Sequence, residues 1–112
     1  MSKAALMIGL VAAVLFSTMQ ARGDFLLNGD FEQGNTGFQT QYTSLSGTAS
    51  NPANSNPGQY EVTTNPIYVN PFWYAGFGDH TSGHGNMMLV DGSQNTSLYL
   101  WSETVSGLSV GT

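Results

Sequence analysis

The chain opens with Lys3, followed by an unbroken run of apolar residues and glycine from Ala4 to Phe16. Ser17-Thr18-Met19-Gln20 then turns polar ahead of Ala21-Arg22-Gly23, where small residues two apart suit a cleavage site. A positive start, an apolar stretch and a small-residue exit predict a secretory signal peptide over residues 1–23, cut after Gly23 or after Ala21. The apolar run is shorter than the roughly 20 residues that a membrane-spanning helix needs, so no permanent span is expected.

Past residue 23 no window keeps an apolar stripe at helical spacing. Asn-Gly, Asp-Gly, Asn-Pro and Ser-Gly dipeptides punctuate short apolar runs, which predicts an all-β chain over residues 24–112. The expected strands begin with Phe25 to Leu27, turned by Asn28-Gly29, and a short one at about Phe38 to Tyr42. Tyr60 to Val62 and Ile67 to Val69 follow, separated by Asn65-Pro66, then Met87 to Val90, ended by Asp91-Gly92, and finally Ser97 to Val105. Ser44 to Gly58, poor in apolar residues and carrying two Asn-Pro pairs, is expected to be a long exposed loop, functional or mobile.

In the last expected strand Leu98 and Leu100 face one way and Tyr99 and Trp101 the other, so both faces are predicted to be covered. Two covered faces imply a sandwich or barrel. About six strands fall short of the seven or eight that a β-sandwich usually has. The chain is therefore expected to be the N-terminal part of a longer secreted protein, with its sandwich incomplete at the C-terminus.

Composition narrows the function classes. At 112 residues there is room for one domain, and with 40% hydrophobic and 8% charged residues the chain is too apolar for acidic disorder and too poor in charge for a coiled coil. Having no cysteine, it can hold no disulfide, Cys-based zinc site, catalytic thiol or Cys-linked lipid. Both basic residues, Lys3 and Arg22, precede residue 24, and all seven acidic residues lie from Asp24 onward. Phosphate neutralisation needs Lys and Arg, which excludes nucleic acid and electrostatic attachment to anionic lipid. A neutral or cationic partner, a metal ion or a sugar remains.

Candidate chemistry is sparse. His80 and His84 are four apart, but Thr81-Ser82-Gly83 between them is not helical, so the pair reads as loop residues rather than ligands. Glycoside hydrolysis needs two acids about 5 to 10 Å apart across a cleft. None of Asp30, Glu32, Glu61, Asp79, Asp91 and Glu103 sits in a hydrolase signature, and no nucleophile motif is present. No enzyme is expected. Asn95-Thr96-Ser97 matches a glycosylation acceptor but reads as turn residues. Phe72-Trp73-Tyr74, with Phe77 just after, lies between Asn70-Pro71 and Gly76. Flat exposed rings there would stack on the apolar face of a sugar, whereas a buried Phe72 or Trp73 would plug one end of the sandwich.

Three segments carry a resemblance. Phe25-Leu26-Leu27-Asn28-Gly29-Asp30-Phe31-Glu32 resembles the opening strand of galactose-binding-like jelly-roll domains, the fold of many bacterial carbohydrate-binding modules. Phe77 to Gly92, which contains Asp79-His80-Thr81-Ser82-Gly83-His84-Gly85-Asn86-Met87-Met88, is similar to a segment of such domains in secreted bacterial proteins, including those with a PEP-CTERM sorting signal. Trp101 to Leu108 resembles the strand that follows. The resemblance implies an all-β jelly-roll β-sandwich at the cell surface or outside the cell. It also implies a structural Ca²⁺ near the first strand, held by Asp30 and Glu32 with a further acid such as Asp79 or Asp91 to help reach six to eight oxygen ligands. In the opposing view Asp30 bonds its own turn and Glu32 is solvated.

The expected function is a secreted, noncatalytic module that binds carbohydrate, extracellular polysaccharide or extracellular matrix, with Phe72, Trp73 and Tyr74 as the candidate contacts. The alternatives are a structural or adhesive surface protein without a small ligand, and an accessory module of a truncated glycoside hydrolase.

Overall fold

A computed structural model describes residues 25–111; the expected signal peptide lies outside them. The regular framework is a small sheet of β1 (Thr43–Ser44), β2 (Gln59–Thr63) and β3 (Met87–Asp91), in the order β1-β2-β3. β1 runs parallel to β2, and β2 pairs antiparallel with β3 from Gln59 opposite Asp91 to Thr63 opposite Met87. The strands expected at Tyr60 to Val62 and Met87 to Val90 thus exist and face each other.

One glycine ties the three strands together. Asn56-Pro57-Gly58-Gln59 closes a turn through Gln59 N–H to Asn56 C=O at 3.2 Å, with Gly58 at φ +88°. Proline followed by a positive-φ glycine is the type II pattern. Gly58 N–H then donates to the Asp91 carbonyl at 2.8 Å, and its own carbonyl accepts Thr43 N–H at 3.0 Å.

Side chains alternate across a strand, so Tyr60 and Val90 share one face and Glu61 and Leu89 the other. Tyr60, Glu61 and Leu89 are all buried, so both faces are covered. On the Tyr60 face Phe38 packs edge-on at 6.1 Å between ring centroids, and Phe31 packs on Phe38 in the same way at 5.8 Å. The Tyr60 hydroxyl donates to Asn35 Oδ1 at 2.7 Å, so the buried polar tip is satisfied.

Ile67 to Val69 is not a strand. Pro66–Val69 forms a single helical turn, α1, in which Val69 and Pro66 are completely buried. Two β-branched residues favour a strand, but the local chemistry opposes them. Asn65 caps the turn by accepting Ile67 N–H on Oδ1 at 3.2 Å, Pro66 takes the first helical position, and Asn70 N–H returns to the Pro66 carbonyl at 3.1 Å.

Past Ser44, which belongs to β1, the segment expected to be a loop up to Gly58 is irregular and largely exposed, yet Gly47 and Ser55 in it are buried. It is fastened to α1 by Ala53 N–H to the Tyr68 carbonyl at 2.8 Å and Ser55 N–H to the Val69 carbonyl at 3.0 Å. A long loop can pack only if its backbone groups find such partners.

The other expected strands are reduced further. Phe25 to Leu27 lies in bends and turns with its three side chains exposed. Phe38 to Tyr42 and Ser97 to Val105 meet in one antiparallel bridge, Gln39 to Ser102, with both N–H···O bonds at 2.8 Å. Tyr99 is 42% and Trp101 36% exposed, so that face of the last segment is open rather than covered. Among the described residues the fold is an all-β arrangement with one helical turn, and no helix is long and apolar enough to cross a membrane.

Candidate functional site

The aromatic loop begins where α1 stops. Asn70 Oδ1 accepts Phe72 N–H and the Asn70 carbonyl accepts Trp73 N–H, both at 3.0 Å. Asn70-Pro71-Phe72-Trp73 is therefore a tight turn with proline at its second position. Asn70 itself is anchored to the sheet, because its Nδ2 donates to Ser55 Oγ at 3.3 Å and Ser55 Oγ donates to Asp91 Oδ2 at 2.9 Å. The turn projects Phe72 into solvent at 89% exposure, and Tyr74 follows at 76%. Trp73 between them is half-buried. Phe72 plugs nothing, so the three aromatic residues divide into two outward rings and one partly covered one.

Beyond Tyr74 the chain folds back on itself. The Tyr74 hydroxyl lies so close to Gly76 that a Cβ there would overlap it, and a Cβ on Gly78 would overlap the Gly83 carbonyl. These approaches shape a shallow depression of about 470 Å³ lined by residues including Asn65, Phe77, Gly83 and His84. Phe77, half-exposed at 52%, supplies its aromatic wall.

Asp79 builds the next turn. Its Oδ2 accepts Thr81 N–H at 3.0 Å and Ser82 N–H at 2.7 Å, while Oδ1 accepts the Ser82 hydroxyl at 2.9 Å and Gly85 N–H at 2.6 Å. The Ser82 N–H, helped by those of Gly85 and Thr81 and by the Ser82 hydroxyl, holds the carboxyl down at about 2. His80 and His84 are exposed members of this turn.

Glu32 meets the same turn at Gly85. Asn86 Nδ2 donates to the Glu32 carbonyl at 3.4 Å, and a Cβ on Gly85 would overlap the Glu32 carboxylate. Two of the three expected calcium ligands, Glu32 and Asp79, therefore converge on Gly85. The third is elsewhere: Asp30 Oδ1 accepts Glu32 N–H at 3.2 Å within its own turn, beside a hollow of about 760 Å³ whose walls include the exposed Phe25, Leu26 and Leu27. Asp91 is engaged with Ser55.

Among the described residues no three His, Asp or Glu side chains gather closely enough to hold a metal ion. Asp79 has all four of its acceptor positions filled, so a cation there would displace N–H donors that already satisfy it. Among the described residues, Asp30, Glu32 and Asp79 do not gather around one point as the calcium site implied by the resemblance would need.

Sequence reasoning did not foresee the role of Asn28. Buried at φ +51°, it donates from Nδ2 to the Gly34 and Thr36 carbonyls, both at 2.8 Å, and accepts Gln33 N–H on Oδ1 at 2.8 Å. Asn-Gly signalled a turn, and the asparagine is what fixes it, placing Glu32 against Gly85.

No family model, no curated protein and no solved structure matches this chain.

Proposed function

We propose that the chain is a secreted, noncatalytic module of the galactose-binding-like jelly-roll kind that binds carbohydrate at a surface formed by Phe72, Tyr74 and Phe77. One observation carries this reading: Phe72 and Tyr74 stand 89% and 76% exposed on a loop whose backbone is pinned through Asn70. Exposing large rings forgoes about 1.5–3 kcal/mol of burial free energy for each, and stacking on the apolar C–H face of a sugar recovers part of it. Pinning reduces the ordering cost on binding. Asn65 in the adjacent depression supplies the kind of amide that hydrogen-bonds sugar hydroxyls.

The test is binding of the full chain to a panel of soluble oligosaccharides, read by tryptophan fluorescence and calorimetry, with Phe72→Ala and Tyr74→Ala alongside. Saturable binding that weakens about tenfold in either variant supports the reading, the loss expected when one stacked ring is removed. Absence of binding across neutral, anionic and cationic glycans sinks it. Trp73→Ala compared with Trp101→Ala identifies which indole reports the ligand, with Trp73, the neighbour of both exposed rings, expected to carry the signal.

A further inference from the structure

The described residues contain six carboxylates and no Lys or Arg. A field of one sign raises the local concentration of oppositely charged ligands and repels like-charged ones. One of those carboxylates is placed where it matters. Glu32 is exposed, lies against Gly85 and takes no hydrogen bond on its carboxylate from any described residue. Gly85 directly follows Gly83 and His84, which line the depression walled by Phe77. Asp79 meets the same glycine, but its oxygens are committed to the turn. Glu32 is thus a free acceptor resting on Gly85, the residue next to His84 in the lining of that depression.

Resting on the carbohydrate reading above, we propose that the preferred ligand is an amine-bearing polysaccharide, a chain of hexosamine units with free ammonium groups. The sugar's C–H face lies on Phe77 and the outward rings, and an ammonium pairs with the Glu32 carboxylate. Aromatic faces carry negative quadrupole charge and add to the attraction for a cation. A neutral hexose satisfies only the rings. A uronic acid or sulfated glycan meets the carboxylates with like charge and is rejected. The turn that carries Glu32 is held in place by Asn28 and by Asn86 Nδ2 on the Glu32 carbonyl, so the acceptor is in position before the ligand arrives.

The experiment uses the full chain with three probes of matched length: glucosamine oligomers, their N-acetylated counterparts and oligouronates. The glucosamine oligomer is expected to bind about fivefold more tightly than the N-acetylated one, the scale of one exposed ion pair with a cation–π contribution, and the oligouronate not at all. Glu32→Gln should bring the ratio of the first two close to one. Glu103→Gln removes the same unit of charge from a carboxylate that holds Leu27 N–H instead, its amide oxygen still able to accept that bond, and should leave that ratio unchanged. Equal affinities in the wild-type chain, an unaltered ratio in Glu32→Gln, or an equal loss in both variants overturns the proposal. Binding of the N-acetylated oligomer without any amine preference defeats this inference alone, whereas failure of all three probes defeats the carbohydrate reading with it. Polylysine binding as tightly as the amine oligomer, and unaffected by Phe77→Ala, would show bulk attraction only and also overturn it.

Discussion

Glu61 and Gly47, fourteen residues apart, are joined by a buried hydrogen bond in which the Gly47 N–H donates to Glu61 Oε2 at 3.0 Å. Glu61 lies on the covered face of β2 opposite Leu89, and Gly47 sits so tightly that a Cβ would overlap the Tyr68 carbonyl. Burial pushes the Glu61 carboxyl above its ordinary 4.5, and the Gly47 N–H pulls the other way with less effect. The folded chain therefore holds this proton more firmly than the unfolded chain. The stability Glu61 contributes is fully present below pH 4.5 and is lost as pH rises through the folded value. Glu61→Gln should flatten that part of the pH profile and change stability at pH 7 by no more than about 1 kcal/mol, since the amide oxygen still accepts the N–H. Gly47→Ala should cost about 1–3 kcal/mol, because the neighbour it meets is backbone. Thermal melts of the two variants between pH 4 and pH 8 check both.

Asp79 has the opposite sign. With its carboxyl lowered from 3.8 to about 2 by the Ser82 N–H and the other donors of its turn, its contribution is present above pH 3.8 and is lost as pH falls toward 2. Asp79→Asn replaces one acceptor oxygen by a donor that faces N–H groups, and the amides of Thr81, Ser82 and Gly85 should then exchange with solvent faster than in the parent chain. Hydrogen exchange followed by NMR reads this directly. Because those donors already saturate the carboxylate, millimolar calcium is expected to leave the melting temperature unmoved; a rise of several degrees would show that the ion competes successfully for Asp79.

Asn28 anchors the turn that presents Glu32. Asn28→Asp sets a carboxylate oxygen against the Gly34 and Thr36 carbonyls where an amide now donates at 2.8 Å to each, leaving buried acceptors unpaired. A loss of about 2–3 kcal/mol is expected, and Asn28→Ala should lose a similar amount. Asn28→Gly keeps the positive φ but not the three hydrogen bonds, so it separates the conformational contribution from the polar one. Denaturant melts of the three variants rank them.

How far the residues announce this structure depends on what each element rests upon. Tyr60–Val62 and Met87–Val90 are legible as strands because Asn65-Pro66 closes the first segment and Asp91-Gly92 ends the second, and the two pair as β2 and β3. Ile67–Val69 misleads because β-branching is a weak preference and a cap is a local bond. Asn65-Pro66 looks like a breaker between strands but serves as N-cap and first helical residue. Leu98 to Trp101 alternates as a strand should, yet alternation says nothing about how far a partner runs beside it, and among the described residues the contact is limited to the Gln39–Ser102 bridge and the bonds between Gln41 and Tyr99. The aromatic loop was visible from its flanking Asn-Pro and Gly; which of its rings faces outward was not, since that is decided by the Asn70 side chain in three dimensions. The carboxylates were individually obvious. Their partition into a saturated Asp79, an Asp30 bonded to its own turn and a free Glu32 depends on turn geometry that spacing does not encode.

Val69 and Phe72, three residues apart, should respond oppositely to truncation. Val69 is fully buried at the end of α1, and Val69→Ala removes two methyl groups from a site that the Ser55–Val69 backbone bond prevents from collapsing. A loss of about 2 kcal/mol is expected, visible as a lower denaturation midpoint. Phe72 is 89% exposed and Tyr74 76%, so Phe72→Ala and Tyr74→Ala should shift stability by less than about 0.5 kcal/mol while weakening glycan binding. A Phe72→Ala variant that melts as early as Val69→Ala would mean that the ring packs in solution, and the surface proposed for stacking sugars would lose its first contact.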